Sequence, residues 1–71
     1  MTRTPVKSSA IKSIGHDAEK NILQVEFHTG HVYEYEGVTE EDHAALISAS
    51  SVGAHMNNFI MGKFPSRKYG K

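Results

Sequence analysis

Tyr33 and Tyr35 stand one residue apart in "EFHTGHVYEYEG", just after Gly30. Rings at this spacing share one face of a strand. They can stack on bases, as in RNA-binding sheets, or they can fill a core. His28 and His31 flank the same turn, and His16, His43 and His55 lie elsewhere. Zinc needs three or four ligands in fixed geometry, and no second spaced pair completes a set. No metal or cofactor is therefore expected. Lys7, Ser8, Ser9, Ser50, Ser51 and Asn57 are small hydrogen-bonding residues and one cation. A serine–lysine nucleophile can be drawn from them, but no oxyanion hole or third partner can, so the expectation is a non-enzymatic protein.

Charge supports a different kind of chemistry. The 71 residues carry eight bases and eight acids, a formal charge of zero. The acids all fall between Asp17 and Asp42, where Lys20 is the lone base among them. Arg3, Lys7 and Lys12 precede that span; Lys63, Arg67, Lys68 and Lys71 follow it. If the chain ends meet, as they often do, the molecule has a basic pole and an acidic one. Cysteine is absent, which fits a reducing compartment and rules out disulfides and thiolate ligands. The N-terminus "MTRTPVKSS" lacks the apolar stretch of a signal peptide, and no apolar run approaches the roughly 18 residues of a membrane span. The expectation is one cytoplasmic domain that avoids membranes.

These residues need elements to hold them. "SAIKSIGHD", roughly 9–17, reads as a strand with a bulge near Ser13 or Gly15, because Ile11 and Ile14 differ in parity. "DAEKN" reads as a turn with Asp17 and Asn21 at its ends. "ILQVEFH" and "HVYEYEG" alternate as half-buried strands. A two-residue turn at Thr29-Gly30 would put Glu34 on the apolar face. A three-residue loop, His28-Thr29-Gly30, pairs Val25 with Tyr33 and Leu23 with Tyr35 instead, with Gly30 in the left-handed position. Both tyrosines then lie on the core side with Leu23, Val25 and Phe27. The other face shows Gln24, Glu26, Val32, Glu34 and Glu36, whose carboxylates repel phosphates.

Two helices follow. Thr39 is the expected N-cap of the first, with Asp42 completing an acidic capping box. Glu40, Glu41 and Asp42 suit the positive end of its dipole. Ser50 or Ser51 caps the second, and Gly62 ends it. Val52, Met56, Phe59 and Ile60 form its apolar face. The predicted architecture is α+β: a three-stranded antiparallel meander with two C-terminal helices packed on one face. Residues 1–8 form a flexible arm, 9–62 a single domain, and 63–71 a basic tail. The expected core is Leu23, Val25, Phe27, Tyr33, Tyr35, Leu46, Ile47, Val52, Met56, Phe59 and Ile60.

The pieces "SSAIKSIGHD", "LQVEFHTGHVYEYEGV", "LISASSVGAHMNNFI" and "GKF", in this order, resemble the KTSC domain family. Tyr33, Tyr35 and Val38 after Gly30 carry the resemblance, together with Ser51, Gly53, Asn57 and Ile60. The family comprises small stand-alone bacterial and phage proteins and domains fused behind some lysyl-tRNA synthetases. The resemblance implies an RNA-binding role and no established activity. The family usually has an aromatic where this chain has His16, and often one near His55, so the resemblance implies a reduced ring contact here.

The leading expectation is a binding module for RNA or another nucleic acid. Its candidate residues are Lys7, Lys12, Ser50, Ser51, Asn57, Lys63, Arg67 and Lys68, with Tyr33 and Tyr35 as candidate aromatic contacts. Lys7, Lys12, Lys63, Arg67 and Lys68 should then gather on one side, away from Glu34 and Glu36. If they scatter over opposite faces, the alternative takes first place. That alternative is a protein-interaction module acting through a sheet edge or self-association.

Overall fold

A computed structural model describes residues 3–69. The central meander forms as the alternation predicts: β2 (Ile11–Asp17), β3 (Ile22–Phe27) and β4 (Val32–Glu36). The register slips between Ile11 and Ser13, so the expected bulge is present. Leu23 pairs with Tyr35 and Val25 with Tyr33. Gly30 has φ +96°, and its N–H donates to the Phe27 carbonyl at 2.9 Å. Asp17 Oδ1 accepts from the Glu19 and Lys20 N–H groups, which tightens the preceding turn.

The three-stranded sheet itself is a misreading. Among the described residues, five antiparallel strands form one sheet in the order β1-β2-β3-β4-β5. β1 (Thr4–Pro5) comes from the supposed arm, and β5 (Ser66–Tyr69) from the supposed tail. Neither has the apolar alternation that marks a strand in sequence. Each is made by pairing with β2 or β4, whose outer edges would otherwise be bare.

α1 (Glu40–Ser48) starts on the capping box: the Asp42 N–H donates to Thr39 Oγ1, and the Thr39 N–H to Asp42 Oδ2. α2 (Val52–His55) is capped by Ser51 and runs into a π-helical turn, Met56–Ile60. The Met61 N–H reaches back five residues to the Met56 carbonyl at 2.8 Å. This wider turn keeps Val52, Met56 and Ile60 inward but rotates Phe59 out, leaving it 54% exposed. Ile47 is likewise 49% exposed, because α1 sends only Leu46 into the core. Phe27 and Tyr33 are half-buried rather than buried. The core instead takes in Ile11, Ile14 and Val38, which the expected set omitted. Each fully buried aliphatic side chain contributes roughly 1.5–3 kcal/mol.

Candidate functional site

The sheet's two faces hold different chemistry. On the helix side, His16 of β2 and His43 of α1 stack at 4.8 Å with rings 9° from parallel. His16 Nε2 donates to the Val38 carbonyl at 2.6 Å, which ties β2 to the start of α1. Burial lowers the His43 pKa below its ordinary value; His16 lowers it further and Glu40 opposes. The pair lines a groove of about 550 Å³ with Lys7, Ile47, Ser50 and Val52. Ser8 Oγ accepts from the Ala10 and Ile11 N–H groups and stands 3.3 Å from where a Cβ on Gly53 would lie. The arm therefore crosses α2 at the one residue with no side chain.

A second hollow on the same side is apolar. Phe27 and Tyr33 meet edge to face at 5.8 Å, and with Ala10, Tyr35 and Met61 they line about 510 Å³. His28 and His31 stand at its rim. Tyr35 is core: burial, then Tyr33, raises its hydroxyl pKa. Both rings border this hollow, but Tyr35 is almost wholly buried whereas Tyr33 is half-buried.

The opposite face is neither bare nor simply acidic. Gln24 pairs in register with Glu34, and Glu34 with Arg67. Gln24 Nε2 donates to Glu34 Oε2 at 3.2 Å, and Arg67 Nη2 lies 3.6 Å from Glu34 Oε1. Arg3 Nη1 donates to Gln24 Oε1, and Arg3 Nε lies 3.8 Å from Glu26 Oε1. Gly15 is the β2 residue paired with Gln24. Ser13 Oγ donates to Glu26 Oε1 at 2.9 Å. One polar row therefore links both chain ends across the sheet.

The expected basic pole does not assemble. Arg67 faces Glu34 rather than avoiding it, and Lys68 points to the other face by strand alternation. Lys7 lines the helix-side groove, whereas Lys12 lines a hollow beside Arg3 and Glu26. Lys63 is exposed in the turn after Ile60, Asn57 is exposed on the π turn, and Ser50 and Ser51 sit before α2. Strand pairing of the last described segment decides this distribution. It could have been found only by noticing that Arg67 and Tyr69 alternate with Lys68.

A family model for the KTSC domain matches residues 7–64. An uncharacterized protein of Stutzerimonas stutzeri is 46% identical over 57 residues, covering 80% of each chain. A lysine–tRNA ligase of Nostoc punctiforme is 40% identical over 58 residues, which are 82% of this chain but 10% of the ligase. The crystal structure of a KTSC domain protein from Yersinia pestis superposes with a TM-score of 0.94 at 42% identity, covering 97% of each chain. By sequence and by fold, the chain belongs to the KTSC domain family.

Proposed function

We propose that this KTSC domain is a non-enzymatic binding module that holds a partner protein at the apolar groove beside Tyr33. One observation carries the reading: Phe27, Tyr33 and Met61 keep apolar surface open to solvent in a concave hollow of ligand-binding size. His28 and His31 at the rim supply hydrogen-bonding groups around an apolar centre, the usual anatomy of an interface. Lys7, Lys12, Arg67 and Lys68 do not gather on one side, which weakens the case for a basic pole that grips a nucleic-acid backbone. The proposed location is the cytoplasm, in keeping with the lack of cysteine.

A second reading, RNA binding, is favoured by the likeness to one tenth of a lysine–tRNA ligase and by the lack of any acid in residues 43–71. One experiment separates the two. A photo-reactive residue replaces His31 in the full chain, and adducts formed in cells are identified. A protein adduct that disappears in Met61→Lys supports the groove; adducts to RNA alone would move the second reading to first place.

A further inference from the structure

We propose that the open face of the sheet carries a second site, a receptor for a phosphorylated nucleoside unit. The site is built from Arg3, Lys20, Gln24, Glu34, Arg67 and Tyr69, which line a hollow of about 450 Å³. Three cations reach it from three distant segments: the residue before β1, the β2–β3 turn, and β5.

The layering of charge favours an anion at its mouth. Glu34 is the deep group, its side chain 11% exposed and held by Gln24. Asp17, also at the hollow, is spent on the N–H groups of Glu19 and Lys20. Arg67 and Lys20 lie outermost, whereas Arg3 is partly buried and already bonded to Gln24 and Glu26. Arg67 is 70% exposed and meets Glu34 with one nitrogen, so its other donors remain for a phosphate. Lys20 is exposed and has no ion-pair partner among the described residues.

An aromatic platform stands beside these cations. Tyr69 lies two residues after Arg67, so both point to the same face. Tyr69 is 49% exposed, and its cross-strand neighbour is Val32. A half-open ring next to outward cations fits a base and its phosphate together. The hollow falls in the size range of small-ligand sites. Of the carboxylates on this face, Glu26 and Glu34 are already hydrogen-bonded, and Glu34 is buried; Glu36 is exposed but does not line the hollow. This site lies on the face opposite the apolar groove, so it is independent of partner binding there; its strand-bound form rests on the second reading above, and its free-nucleotide form does not.

The test is titration of the isotope-labelled full chain with AMP, adenosine, inorganic phosphate and a short oligoadenylate, followed by amide shifts. Shifts at Lys20, Ile22, Arg67 and Tyr69 with AMP identify a free nucleotide. The same shifts with the oligomer alone identify a nucleotide unit within a strand. Either outcome supports the site. Adenosine should bind several-fold more weakly, and Tyr69→Ala should weaken AMP or oligomer binding roughly tenfold. Lys20→Ala, in an exposed turn, should weaken it several-fold while leaving the spectrum of the folded chain intact, and added salt should do likewise. The proposal is overturned by absent shifts at millimolar ligand, by phosphate binding as well as AMP, or by shifts that survive both substitutions.

Discussion

Three residues set local geometry that single substitutions can measure. A Cβ on Gly30 would meet nothing within 4 Å, so Gly30→Ala isolates the cost of φ +96°. That change should destabilise by about 1 kcal/mol, read as a lower urea midpoint at unchanged slope. Gly53 offers the opposite case. Its backbone is helical, so alanine should gain about 1 kcal/mol in propensity. The new Cβ, however, would press at 3.3 Å on a Ser8 Oγ held by two N–H groups. Gly53→Ala should therefore lose stability in the native chain and lose less in a Ser8→Ala background, a coupling that a double-mutant cycle reads directly. His43 gives the pH dependence. Its folded pKa lies below the unfolded value of 6.5, so the unfolded chain binds more protons near and below that pH. The effect is absent above pH 6.5 and grows as pH falls through the folded pKa. The melting temperature should drop between pH 7.5 and 5.5, and His43→Gln should flatten that drop. An unchanged slope in the variant would remove the stacked pair as its source.

Elements with a strict period were legible, and those shaped by neighbours were not. The β3–β4 hairpin follows from two facts in sequence: alternation around the turn, and one glycine in the left-handed position. The cap of α1 follows equally from Thr39 and Asp42. The second helix has an equally clear spacing, yet the α-helical period assumed for it fails after His55. A turn closed between Met56 and Met61 leaves Ile60 in the core and moves Phe59 out. No pattern of residue types distinguishes that turn from a regular one. The energetic consequence is sharp. Ile60→Ala should cost about 2–5 kcal/mol, since the side chain is sealed. Phe59→Ala should cost about 0.5 kcal/mol or less, as its ring packs mainly on His55 at 4.7 Å. Equal losses in thermal or urea unfolding would mean that Phe59 docks inward.

At the scale of the molecule, the chain ends complete the sheet. A domain of this length has a stability of roughly 4–10 kcal/mol, so its outer strands carry weight. β5 covers the edge of β4, and the Glu36 N–H donates to the Pro65 carbonyl just before it. Its residues are all exposed, which is why they read as a tail: the strand is held by backbone pairing and by cross-strand neighbours, not by burial. The candidate site was obscure for the same reason, since Arg3, Arg67 and Tyr69 come together only once the outer strands are in place. Removing residues 66–71 should strip β4 of its ladder hydrogen bonds to Ser66–Tyr69 and uncover Val32, at a cost of roughly 2–4 kcal/mol at about 1 kcal/mol per bond. Arg67→Ala should cost far less, because the Arg67–Glu34 pair is largely solvated on the arginine side. Hydrogen exchange distinguishes the strand from a loose end. In the full chain, the β4 amides that face β5 should be protected nearly as well as those facing β3; in the truncated chain they should exchange fast while β2–β3 stays protected. Fast exchange of those amides in the full chain would mean that the segment does not pair, and would remove the open-face site with it.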